Sequence, residues 1–396
     1  MTHLPVNTTE LGSGERTPTN ARRRRLTAAA GVAALAASMG VGALGSAAEA
    51  ASAPALATRR AAPASAFTAV RSLGTISATG TPVAMTAPGG GVVYVLSEGR
   101  DRKAEVLRVT TRTNRGKTTT SATHYRLGTE LGDPGKATID GTSTNDVWVT
   151  ANGGLWRFTG RGFSKVALPR GESAVTVADA PGSGVYVGTA STKDGGEVFR
   201  GTVGRRGVSW KSVGYAAREG FENWGLPVLA LRVTDGKVFG IWEQAYSANI
   251  GRAVYELDSN TWTMRYMANT LHPSGGVTAY TWLTPKASEH VVLGRADSPR
   301  GEEFSALTTT LWKGGEAQQC LRGTPQEFVS EKGTLLADGR LVTDGFRVSL
   351  DACNRPRPVG GDAGDGSLAM TTERGTNTAW AITKKGDAVT LQRFTG

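Results

Sequence analysis

Cysteine and histidine are scarce in this chain, with two and four copies among 396 residues. Donors so few and so scattered form no metal-ligand cluster of recognisable spacing, and neither a metal nor a cofactor is expected. The sequence also lacks a Gly-x-Ser-x-Gly elbow, a Walker loop and a Rossmann fingerprint, the motifs that present a nucleophile or cradle a phosphate. No catalytic constellation is complete, so no catalytic residue is assigned. Nucleic acid is disfavoured as a partner because basic residues are spread along the chain, Arg205-Arg206 being only a local pair.

What is present is repetition. Seven short apolar runs of the type Asp146-Val147-Trp148-Val149 recur, and their third residues are Tyr94, Trp148, Tyr186, Phe239, Val292, Val342 and Trp380. These markers lie 54, 38, 53, 53, 50 and 38 residues apart, a mean of about 48, close to the roughly 40–50 residues of a four-stranded propeller blade.

Within one interval the apolar bursts are four to seven residues long and are bounded by Gly, Asp, Asn and Pro, the pattern of strands rather than helices. The second interval reads as strands Lys136–Thr142, Asp146–Thr150, Gly154–Thr159 and Phe163–Pro169. Three antiparallel connections in about thirty residues leave no room for a crossover helix. The third repeats the scheme (Ala174–Ala180, Val185–Gly188, Glu197–Val203, Trp210–Tyr215), and so does the fourth (Val228–Thr234, Lys237–Trp242, Ala253–Asp258, Trp262–Met267). The sixth is crowded, with strands expected at Glu327–Ser330, Thr334–Ala337, Arg340–Thr343 and Phe346–Leu350.

Only 16 residues follow Trp380, enough for one more strand at Ala388–Phe394 but not two. The segment Phe67–Leu73 resembles an outer strand and precedes the first blade, so it is expected to complete the seventh and remove its open edge. The expectation is therefore an all-β chain, a seven-bladed β-propeller closed by an N-terminal outer strand. The run Ser143–Val149, with Leu155–Gly160 and Phe163–Val166, resembles a blade of secreted bacterial propellers of the kelch-like and WD40-like superfamily.

Arg22 to Arg25 precede an uncharged Ala/Gly-rich stretch from Ala28 to Ala48, the composition of a signal peptide, with cleavage expected after Ala50. The arginine pair, long polar leader and mild hydrophobicity resemble a twin-arginine export signal, and the Sec route is the alternative. An uncleaved anchor is the other reading, since 21 residues could span a bilayer, although Ala, Gly and Ser contribute little to insertion. The expected organisation is a leader at 1–50, a flexible linker at 51–66 and a propeller at 67–396, in a secreted, extracellular or wall-associated monomer that meets a membrane only during export. Without the leader, 40 basic and 31 acidic residues leave a net charge of +9, which favours an anionic cell-wall polymer, glycan or extracellular protein as partner. Cys320 and Cys353 suit one disulfide in an oxidising compartment, or remain two thiols.

Aromatic residues separate by register. Trp148, Trp156, Trp210, Trp262, Trp312 and Trp380 occupy recurring strand positions and are expected to pack between sheets. Glu222, Asn223 and Trp224, in the connection entering the fourth blade, fall outside that register. So do Trp242, Glu243, Gln244 and Tyr246, read as the start of a loop between its second and third strands. Both kinds of connection emerge on one face, and His272 is expected to join them. Rings beside carboxylates and amides suit sugar or peptide binding, while the plainer reading has them anchoring long loops. An exported binding module is the leading function. The alternative is a glycoside hydrolase or lyase with Glu222 and Glu243 as its carboxylate pair.

Overall fold

Apolar bursts ended by turn residues fold as strands throughout the described chain. The computed structural model describes residues 67–115, 117–182, 184–191, 196–215, 228–246, 249–268, 277–286, 289–296, 306–313, 316–320, 332–343, 346–349, 357–358 and 366–396. The first strand is β1 (Thr68–Thr75), followed by a single helical turn at Ile76–Thr79. The first sheet in chain order comprises β2 (Thr81–Gly89), β3 (Val92–Glu98), β4 (Lys103–Asn114) and β5 (Lys117–Glu130). The second comprises β6 (Thr138–Ser143), β7 (Asp146–Ala151), β8 (Gly154–Phe158) and β9 (Phe163–Val166). The third holds β10 (Glu172–Ala180), β11 (Gly184–Ser191), β12 (Val198–Gly204) and β13 (Gly207–Ser212), and the fourth β14 (Val228–Thr234), β15 (Lys237–Tyr246), β16 (Asn249–Asp258) and β17 (Thr261–Ala268). The fifth is β18 (Val277–Lys286), β19 (Glu289–Ala296), β20 (Ala306–Lys313) and β21 (Glu316–Cys320). The sixth is β22 (Gly333–Leu335), β23 (Arg340–Thr343), β24 (Phe346–Ser349) and β25 (Arg357–Pro358). The last sheet takes β26 (Ser367–Thr372), β27 (Thr378–Lys385) and β28 (Ala388–Thr395), and its fourth strand is β1.

The first six sheets are antiparallel meanders, the last is antiparallel with β1 added from the start of the chain, and the architecture is all-β and propeller-type. The first strand of each sheet touches that of the next, from β2 through β6, β10, β14, β18 and β22 to β26, and β26 touches β2. Burial follows from this stacking. The second strands β3 and β7 are buried at nearly every position, while the outer strand β9 keeps its middle residues exposed. Strands covered on both faces read as continuous apolar runs, which is why the marker residues stood out. Apolar clusters fill the seams between neighbouring sheets, with Tyr94, Leu96 and Phe158 between the first and second and Trp380, Val95 and Leu391 between the last and first.

The strand expected near Phe67 is β1, which pairs antiparallel with β28 from Thr68 opposite Arg393 to Thr75 opposite Ala388. The Phe67 and Phe394 rings meet there at 5.3 Å between centroids. Glu373 ties the neighbouring seam by accepting the Gly91 N–H at 2.9 Å and the Trp380 indole N–H at 3.3 Å.

The sixth sheet departs from its expected bounds. Its first strand is Gly333–Leu335, where the second was expected, and its fourth is the two-residue Arg357–Pro358. Proline donates no ladder hydrogen bond, so this short edge carries no strand signal in sequence. The segment at 327–330 lies outside the described residues.

Candidate functional site

One residue position repeats with unusual constancy. On the third strand, opposite the marker of the second, stand Arg108 facing Tyr94, Arg157 facing Trp148, Arg200 facing Tyr186, Arg347 facing Val342 and Arg393 facing Trp380. The Arg157 guanidinium lies 5.0 Å from the Trp148 ring, and Arg108 and Arg393 each lie 5.9 Å from theirs. Such cations are held by the negative face of the ring. Asp146 fixes one of them with two 2.8 Å bonds to Arg157, which explains the Asp-Val-Trp order of that run.

The fourth sheet breaks this rule by placing Glu256 opposite Phe239. A carboxylate gains nothing from a ring face, and Glu256 binds instead to Lys237 Nζ at 2.6 Å and Arg265 Nε at 2.7 Å. Burial alone would push its carboxyl up, but the two cations outweigh burial and hold it below the usual carboxylate range. These three residues line a cleft of about 400 Å³ between the third and fourth sheets. Tyr186 and Arg200 contribute from the third sheet, and the Asp258–Asn260 turn forms part of the rim.

A second polar group sits on the first strands. The position opposite the marker is Thr86, Thr334 and Thr371 in three sheets but Asp140 in the second and Arg232 in the fourth. Asp140 Oδ2 accepts the Asp179 N–H at 2.9 Å, and Asp179 Oδ2 accepts the Thr142 N–H at 2.7 Å, a reciprocal clasp between β6 and β10. Burial pushes the Asp179 carboxyl up to about 6, against the lowering effect of Thr142 and with the help of the Asp140 and Asp146 charges. Crowding by surrounding protein lowers the Arg232 guanidinium although its surface stays open to solvent, and Asp140 partly offsets that cost. Among the described residues no group of three or more His, Cys, Asp or Glu is placed to hold a metal ion.

Of the residues expected at the ligand face, Glu222, Asn223, Trp224 and His272 lie outside the described residues. Glu243, Gln244 and Tyr246 do not begin a loop. They extend β15, opposite Arg252, Gly251 and Asn249 of β16. Trp242 is corrected as well, since it lies within β15 and is fully buried, 5.4 Å from the Tyr255 ring and 4.8 Å from that of Trp262. The cause is local. Its ring lies across Gly240, where a Cβ would approach within 2.3 Å, so the glycine supplies the slot that takes the indole into the core. The same Gly-x-Trp arrangement recurs at Gly154 and Trp156. Cys320 ends β21, with only its backbone described, and Cys353 lies outside the described residues.

Glu256, Lys237 and Arg265 carry no functional signal in the sequence because all three fall within strands, Arg265 at the irregularity of β17 between Met264 and Tyr266. The available signal was the register itself, in which five of seven markers face arginine and one faces glutamate.

No protein-family profile matches the chain, and no curated protein matches it in sequence. Among solved structures it is similar to Kuenenia stuttgartiensis hydrazine synthase, at 9% identity and a TM-score of 0.51 over 78% of this chain and 95% of that one. It is also similar to the Neurospora crassa Pan2 WD40 domain, at 7% identity and a TM-score of 0.52 over 85% of this chain and 99% of that one. At such identities the likeness is one of fold alone, a propeller-type arrangement of four-stranded antiparallel sheets.

Proposed function

We propose that this chain is an exported binding module that recognises an extracellular polymer, glycan or protein. In this reading residues 1–50 are a twin-arginine-like leader removed on export and residues 51–66 a tether. Residues 67–396 form a seven-bladed ring closed by β1, and Cys320 and Cys353 are joined. The β1–β28 pairing and the serial contacts of the first strands support the ring. The observation that carries a binding role is the open cleft between the third and fourth sheets, where polar groups are held in place by a buried carboxylate rather than spent on core packing. The face around Trp224 belongs to the same proposal as a second surface.

The test is retention of the mature chain on isolated cell-wall fragments and on a glycan array. Saturable retention is expected, and its absence on every surface overturns the reading. Polymer cleavage that disappears in the Glu222→Gln, Glu243→Gln double variant would make the chain a glycoside hydrolase or lyase instead. Mass spectrometry of secreted material reads the cleavage after Ala50 and the disulfide.

A further inference from the structure

We propose that the cleft between the third and fourth sheets binds the anionic group, carboxylate or phosphate, of a hydroxyl-rich polymer, an assignment that rests on the binding-module reading. The break in the repeat is the first argument. Five of the seven sheets place arginine opposite the marker, the fifth places the uncharged Thr310 there, and the fourth alone buries a carboxylate, Glu256. Desolvating a carboxylate is costly, and ion pairs at such sites often do no better than apolar packing. A structural role alone gives no reason to bury a charge of the opposite sign where five sheets use arginine.

What the departure achieves is the positioning of cations. The Glu256 side chain is 8% exposed, while Lys237 and Arg265, bound to its two oxygens, are 51% and 41% exposed. One buried acceptor thus pins two long side chains side by side at the solvent boundary and suppresses the repulsion that would separate them. Among the described residues Lys237 and Arg265 each make a hydrogen-bonded contact to Glu256 alone, whereas an ammonium carries three donors and a guanidinium five. The unspent donors are the right kind for a carboxylate or phosphate oxygen, and arginine presents them as a planar fork. Arg200 adds a third cation from the third sheet, and Asp258 adds a carboxylate to the rim. The rim turn Asp258-Ser259-Asn260 supplies hydroxyl, amide and carboxylate groups that suit the hydroxyls flanking the charge on an acidic saccharide or a polyol phosphate.

The experiment measures affinity of the mature chain for polygalacturonate, for a glycerol-phosphate polymer and for neutral dextran at low and moderate salt. The variant is K237Q/E256Q/R265Q, which removes the cations without leaving a buried carboxylate unpaired. Wild type is expected to bind at least one anionic polymer, more weakly as salt rises, and to ignore dextran. The triple variant should lose about tenfold or more, the worth of one or two charge-assisted hydrogen bonds. Which anionic polymer is retained separates a uronate from a phosphate ligand. Should the triple variant fold poorly, Arg200→Gln on the third sheet is read in the same assay with an expected weakening of several-fold. Undiminished affinity in a folded triple variant, or in Arg200→Gln if that variant must stand alone, overturns the assignment while leaving the module reading intact. Equal retention on dextran overturns it as well. Failure of wild type to bind any surface, on the array included, removes the module reading and this site together.

Discussion

Trp242→Ala separates a core residue from a ligand contact. The indole is fully buried and packs edge-on against Tyr255 and Trp262, so truncation deletes the centre of the apolar cluster between the third and fourth sheets. Large-to-small substitutions of buried aromatics cost about 3–5 kcal/mol. Part of that returns, because the indole N–H makes no hydrogen bond in the folded chain and an orphaned buried donor costs roughly 1–3 kcal/mol. The net expectation is a loss of about 3 kcal/mol, and Trp242→Phe, which keeps a ring and removes the orphan, should lose about 1 kcal/mol or less. Urea unfolding followed by circular dichroism reads both. With a slope of about 3 kcal/mol/M, the alanine variant should lower the midpoint by about 1 M at an unchanged slope. An alanine variant with wild-type stability and impaired ligand binding would refute the burial argument and restore Trp242 to the ligand face.

Two further outcomes follow from the seams. Asp179 is pushed up to about 6 in the folded chain from an ordinary value of 3.8, so the folded state holds its proton more tightly than the unfolded state. Its penalty is full above about pH 6 and fades as pH falls toward 4. Relative to Asp179→Asn, wild type should therefore gain roughly 2 kcal/mol between pH 7 and pH 4, and a pH-independent difference in urea midpoints would refute the assignment. Deleting residues 51–75 from the mature chain removes β1 and bares β28. An open strand edge pairs with other chains, so the truncated protein is expected to melt at least several degrees lower and to associate in size-exclusion chromatography, whereas an unchanged melt would show that β1 contributes little.

Strand signal in the sequence is clear wherever chain chemistry is local. The bursts around Tyr94, Trp148, Tyr186, Phe239 and Trp380 are second strands buried on both faces, and such strands announce themselves as uninterrupted apolar runs. It failed where a neighbour in space decides. Nothing before Trp242 indicates that a strand continues to Tyr246, because the extension exists only through its ladder with β16. Gly240 reads as a possible turn residue until the ring lying across it is seen. The two-residue β25 is a strand only because β24 lies beside it.

The candidate site divides in the same way. The spacing of the markers is a property of the linear chain, and it determined by itself that the chain folds as repeated four-stranded sheets; net positive charge is legible there too. That Glu256 would be buried between Lys237 and Arg265, with Arg200 joining the cleft from another sheet, was decided by the tertiary structure. Glu256 and Arg200 are 56 residues apart in sequence, and only the stacking of one sheet on the next brings their charges to a common cleft.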